Sequence, residues 1–198
     1  MKPRPVVIVF LRAPELGTVK RRLAAGIGMV GARRFYVDTS RALLRRIGAD
    51  PRWEVHLAVT PDRAATQGRY WTQNLARFPQ RHGDLGHRME RAILRFPNRP
   101  VVLIGSDIPD LDRHHLNQAF EALGSSDLVF GPATDGGYWL VGARNAEMVR
   151  GLFRNVIWSS PKALAQTLAN RPHRRIALLG ELDDIDNMDD FNRWCLSN

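Results

Sequence analysis

The sequence has a single cysteine, Cys195, which excludes an internal disulfide and suits a reducing compartment. Lysine is nearly as scarce, confined to Lys2, Lys20 and Lys162, so arginine carries almost all of the positive charge. No apolar run approaches the roughly 20 residues that span a bilayer. The run Val6 to Leu11 is too short for the apolar stretch of a signal peptide, and no small-residue cleavage pattern follows it. Low-complexity tracts, repeats and linkers are absent as well. These absences predict a cytoplasmic protein without a membrane partner. They also predict one domain over residues 1–198, since 44% hydrophobic content over that length suffices for one core.

The formal net charge of +9 attracts phosphates of any kind. Yet the basic residues are scattered, with no run of five and no aromatic-interleaved stripe, which argues against a specific nucleic-acid partner. Composition alone can produce an arginine bias. Lys20 stands out against that bias.

Hydrophobic patterning gives the fold class. Val6 to Leu11 and Val101 to Gly105 are continuous apolar runs, as in strands buried on both faces. Glu54 to Thr60, the stretch "DLVFGPA", "YWLVGA" and Ile176 to Leu179 read as further strands. Helical spacing recurs from roughly Val30 to Ile47, from Leu85 to Phe96 and from Arg113 to Leu123. Ser159 or Ser160 before Pro161 reads as another helix start, and "DDIDNMDDF" leads into a last short helix. The stretch from Pro61 to Arg81 is poorly patterned and reads as mixed helix and loop. Strands alternating with helices predict an α/β sandwich around a mostly parallel sheet.

In such a sheet, ligands bind beyond the carboxyl ends of the strands. The first strand runs into "FLRAPELGTVKRRL", which carries Gly17, Lys20, Arg21 and Arg22. "GSDIPDL" brings Asp107, "GPATDGGYW" brings Asp135, Gly136 and Gly137, and "LDDIDNMDDF" supplies a late run of aspartates. Converging cations and carboxylates suit a phosphate-bearing ligand with a divalent metal between them. Each stretch alone also has an ordinary reading. The opening loop lacks the second glycine of a P-loop, so it could simply cap a helix. Asp107 with Pro109 could be a turn or a cap, "DGG" is a common turn, and the late aspartates could face a helix dipole. Adjacent His114 and His115 point to different helix faces, which argues against a metal there.

"APELGTVKRRL", "GDLGHRM", "GSDIPDL", "GPATDGGYWLVG" and "LDDIDNMDDF" occur in the order seen in a bacterial family. On these motifs the chain resembles the domain of unknown function DUF2064, often labelled glycosyltransferase, with members associated with arsenosugar biosynthesis. The resemblance implies the nucleotide-diphospho-sugar transferase superfamily and its Rossmann-like α/β/α sandwich, GT-A. The chain is also similar to guanylyltransferases that activate phospholactate or phosphoenolpyruvate. By resemblance, Gly17, Lys20 and Arg22 belong to the phosphate-binding loop, and Asp107 is a metal-binding and catalytic aspartate. Asp135, Gly136 and Gly137 form the acceptor-side turn, with Asp135 also catalytic. Asp184 and Asp186 are the late metal ligands, and Asp84 and Arg88 close one wall of the pocket. Arg21, Ile108 and Asn187 depart from the usual Thr, Cys and Thr.

The resemblance implies a Mg²⁺- or Mn²⁺-dependent transferase whose partner is a nucleotide or nucleotide sugar, most simply a glycosyltransferase. The acceptor, the base and the oligomeric state are not legible in the sequence. Nucleotidyl transfer to a phosphorylated small acid would use the same pocket. A non-catalytic nucleotide or nucleic-acid binder is a third reading, and a steep salt dependence of DNA binding would mark it.

Overall fold

A computed structural model describes residues 3–67, 70–71 and 74–197. Lys2 and four positions of the poorly patterned stretch (68, 69, 72 and 73) lie outside the described residues. In chain order the strands are β1 (Val6–Arg12), β2 (Glu54–Thr60), β3 (Ala76–Pro79), β4 (Val101–Ile104), β5 (Leu128–Pro132), β6 (Tyr138–Ala143) and β7 (Ile176–Leu178). The helices are α1 (Arg21–Gly48), α2 (Ala64–Gln67), α3 (Leu85–Leu94), α4 (Arg113–Ser125), α5 (Ala163–Ala169) and α6 (Met188–Ser197). A short 3-10 turn covers Ala146–Val149.

The strands form one sheet in the order β3-β2-β1-β4-β6-β5-β7. β6 pairs antiparallel with both β4 and β5, whereas the β1–β2, β1–β4, β2–β3 and β5–β7 pairs are parallel. The sheet is therefore mostly parallel, as the patterning predicts, and β6 has a local cause. Only five residues separate the ends of β5 and β6, and a connection that short can return a strand only antiparallel. Within it Gly136 N donates to Ala133 O (3.0 Å) and Ala133 N to Gly137 O (3.1 Å). The "DGG" stretch is a hairpin turn.

Period-two alternation splits β1 between two cores. Val7, Val9 and Leu11 join Leu43, Leu44 and Ile47 of α1 and Leu116 and Leu123 of α4 on one face. Val6 and Ile8 join Met89 and Ile93 of α3 on the other. Burying each such side chain stabilises by about 1.5–3 kcal/mol, and helices on both faces cover the sheet completely. The chain has the α/β/α architecture of a Rossmann-like fold.

Three differences from the patterning bear on the site. α1 starts at Arg21 instead of near Val30, because a break at Gly28 (φ 75, ψ 161) interrupts its periodicity. Before this break Leu23 packs with Ile185, and beyond it Phe35 meets Phe191 of α6 edge-to-face at 5.4 Å. This small third core fastens the opening loop to the late aspartate stretch. α5 starts at Ala163, two residues beyond Pro161. β3 is a four-residue edge strand in the stretch that carries no clear pattern.

Candidate active site

The ends of β1, β4 and β5, with the start of β6, surround a cleft of about 670 Å³. Lys20, Arg22, Asp107, Asp135, Gly137, Asp184, Asp186 and Arg88 all line it. Gly17, Asp84 and Gly136 do not line it and act on its walls from behind. Gly17 (φ 75) turns the chain, and a Cβ there would stand 3.3 Å from Met29 Sδ. Asp84 caps α3 by accepting from His87 N (2.8 Å). Gly136 (φ 82) lets the hairpin dock on Pro161, whose carbonyl oxygen would lie 2.2 Å from an added Cβ.

Lys20 forms the centre of the charged pole. Its backbone sits at φ 48, ψ 47, left-handed geometry that side-chain-bearing residues seldom adopt. The side chain, 2% exposed, places Nζ 2.8 Å from Asp107 Oδ2 and 3.2 Å from Asp186 Oδ1. Burial alone would lower the Lys20 pKa, but Asp107 and then Asp186 outweigh it and hold the ammonium above its ordinary range. Arg22, largely exposed, reaches Asp186 Oδ2 at 3.3 Å. Ser106 Oγ donates to Asp107 Oδ1 (3.0 Å) and helps orient it.

Asp107 does not cap α4. That role falls to Asp112, which accepts from His114 N (2.8 Å) and His115 N (3.2 Å). The late aspartates divide in the same way. Asp190 accepts from Asp186 N (2.9 Å) and Asn187 N (3.1 Å), shaping the start of α6 as the dipole reading expects. Asp184 and Asp186 face the cleft. Burial first, and then the Asp186 charge, pushes the Asp184 carboxyl up to about 6. Asp135 Oδ1 accepts from Gly137 N (2.8 Å), which fixes the carboxylate at the hairpin mouth.

Among the described residues, no three Asp, Glu, His or Cys side chains form a ready-made metal cluster. The donor set nevertheless suits a hard cation, because two carboxylates already share one cationic centre, the Lys20 ammonium. A divalent ion would use the same oxygens with Lys20 moved toward phosphate.

Four cleft residues lie outside the sequence reading. Tyr36 Oη accepts from Arg12 N (2.9 Å) and donates to Arg12 O (3.0 Å). Gln80, buried, donates through Nε2 to Leu11 O (3.2 Å) and Ala58 O (2.8 Å), and its Oε1 accepts from Arg88 Nη1 (3.0 Å). Arg12 and Trp158 complete the group. Arg12 had a signal, a charge ending an apolar strand, whereas Gln80 had none.

A protein-family profile described as an uncharacterized protein conserved in bacteria (DUF2064) matches residues 43–160, more than half of the 198 residues. The chain belongs to this family. Its structure resembles that of a proposed nucleotide-diphospho-sugar transferase from Desulfovibrio desulfuricans G20, with a TM-score of 0.91 and 26% identity over 99% of this chain and 88% of that one. Rv0371c from Mycobacterium tuberculosis H37Rv, solved as a complex with manganese, aligns at a TM-score of 0.60 and 16% identity, covering 98% and 100%. A 4-diphosphocytidyl-2C-methyl-D-erythritol synthase from Anaerococcus prevotii aligns at 0.61 and 8% identity, covering 98% and 99%. No curated protein matches the sequence. By fold, the chain sits among nucleotide-using transferases.

Proposed function

We propose that the protein is a metal-dependent transferase that takes a nucleotide-activated donor, in the first instance a nucleotide sugar. The observation that carries this reading is the Lys20 ammonium held between Asp107 and Asp186 at the strand ends. A diphosphate laid across this point meets Lys20 and Arg22 as cations, and charge-assisted contacts of this kind are worth about 1.5–3 kcal/mol each. Asp107 and Asp186, with Asp184 beside them, are the oxygens that would hold Mg²⁺ or Mn²⁺. That ion, when bound, would offset the negative charge of the departing diphosphate. The manganese in Rv0371c supports a divalent ion at this fold.

Asp135 stands at the hairpin mouth with Oδ1 committed to Gly137 N. Oδ2 has no hydrogen bond among the described residues, so it is the atom placed to accept an acceptor hydroxyl proton. The chain's other contribution is to position the donor and stabilise its charge.

Nucleotidyl transfer is the second reading, favoured by the synthase of Anaerococcus prevotii and by a CMP:2-keto-3-deoxy-manno-octonic acid synthetase solved with CTP. A thermal-shift panel of nucleoside triphosphates and nucleotide sugars, with and without Mn²⁺, tests the common reading. Stabilisation by a nucleotide sugar that needs Mn²⁺ supports glycosyl transfer, and triphosphate-dependent pyrophosphate release supports nucleotidyl transfer. No stabilisation by any nucleotide overturns both.

A further inference from the structure

The cleft has a second cationic pole. At the first pole, Lys20 and Arg22 are matched by Asp107 and Asp186. Arg12 and Arg88 line the same cleft without a comparable match. The Arg12 guanidinium makes no hydrogen bond or ion pair among the described residues. Asp84, the carboxylate nearest Arg88 in sequence, is engaged by His87 through N and Nδ1 (both 2.8 Å), and Arg88 Nε reaches only the Asp84 carbonyl (3.3 Å).

The two arginines are close enough to feel each other. Burial first, and then the Arg12 charge, depresses the Arg88 pKa, and Arg12 also acts on Tyr36. Like charges converging in a half-buried cleft cost free energy unless something anionic sits between them. The fold nevertheless holds them in place. Tyr36 Oη clamps the Arg12 backbone at both N and O. Buried Gln80 binds the ends of β1 and β2 through its amide nitrogen and holds Arg88 Nη1 with its oxygen. Nearby on the cleft wall, Trp158 Nε1 is buried and has no acceptor among the described residues.

We propose that Arg12 and Arg88 form a subsite for an anionic group, phosphate or carboxylate, on the second substrate. This deepens the transferase reading and rests on it for the identity of that substrate. Arg88 supplies a guanidinium pre-positioned by Gln80, while exposed Arg12 approaches from the end of β1. A planar fork of donors suits both oxyanions. The acceptor is thus an acidic small molecule. A neutral sugar would leave both charges facing each other.

The test is calorimetric titration of the full chain with glycerol 3-phosphate, glycerate and glycerol, each with and without a nucleoside triphosphate and Mn²⁺. At least one of the two anions is expected to bind, glycerol is not, and the triphosphate is expected to leave anion affinity intact or improve it. A stronger response to glycerol 3-phosphate assigns phosphate, and a stronger response to glycerate assigns carboxylate. Arg12→Gln and Arg88→Gln should each weaken the preferred anion at least tenfold, while circular dichroism and thermal melting confirm a folded chain. Failure of both anions to bind, unchanged affinity in both variants, or displacement of the anion by the triphosphate would overturn the subsite. Displacement would assign the arginines to the nucleotide's own phosphates. If no nucleotide binds but the anion arm behaves as expected, the transferase reading fails and the subsite stands.

Discussion

Lys20 Nζ lies 2.8 Å from Asp107 Oδ2, with the lysine side chain buried and the aspartate about one-third exposed. The ammonium is therefore part of the floor of the cleft, whereas Arg22, with 74% of its side chain exposed, hangs at the rim. Losing Lys20 leaves Asp107 and Asp186 facing each other without a shared cation.

Lys20→Ala should weaken diphosphate binding more than Arg22→Ala does, because a desolvated contact is screened less than a rim contact. A loss of roughly tenfold or more at Lys20 follows from the worth of a charge-assisted contact. Arg150 already pairs with Glu147 on the surface, so Arg150→Ala should change affinity by less than twofold. Nucleotide titration of the three variants checks the order. Equal losses at all three would mean that bulk charge binds the ligand.

Asp107→Asn tests the metal reading. Asparagine keeps the shape but gives a divalent cation a neutral, weaker oxygen. The fold should survive, since capping of α4 belongs to Asp112 and the substitution creates no cavity. Mn²⁺-dependent nucleotide binding should disappear. Binding with unchanged Mn²⁺ dependence would remove Asp107 from the metal site.

Gly136→Ala should lower stability and loosen the Pro161 segment. The glycine sits at φ 82, and the added Cβ would lie 2.2 Å from a backbone oxygen that cannot turn aside. Left-handed strain alone costs about 1–2 kcal/mol, and the clash adds to it. Thermal melting reads the loss. A melting temperature equal to that of the parent would show that the hairpin and Pro161 do not dock as described.

Asp50 gives a pH prediction away from the cleft. Its carboxylate accepts from Arg52 Nη2 (2.7 Å), Nε (2.9 Å) and N (3.1 Å), and the Arg52 side-chain bonds hold its pKa below the ordinary range. A depressed folded-state pKa contributes stability that is present above the unfolded value near 3.9 and is lost as pH falls through the folded value. Asp50→Asn should therefore lower the melting temperature at pH 7, and the gap from the parent should close below about pH 3. A pH-independent gap would assign the effect to packing.

The sequence by itself determined the fold class and the order of the site loops. Val6 to Leu11 and Val101 to Ile104 are apolar throughout because both sheet faces are covered, and such runs are visible without coordinates. The aspartate and glycine positions beyond the strands were legible for the same reason, since strand ends in an α/β sheet lie at one edge. Only the tertiary structure decided which of those charges meet. Lys20 and Asp186 are 166 residues apart, and their contact depends on Leu23 packing against Ile185 and α1 against α6. Periodicity reports the face of one element and carries no information about its distant partner. Gln80 shows the limit most clearly. A buried amide after an edge strand has no pattern of its own, and its role exists only where β1, β2 and α3 come together.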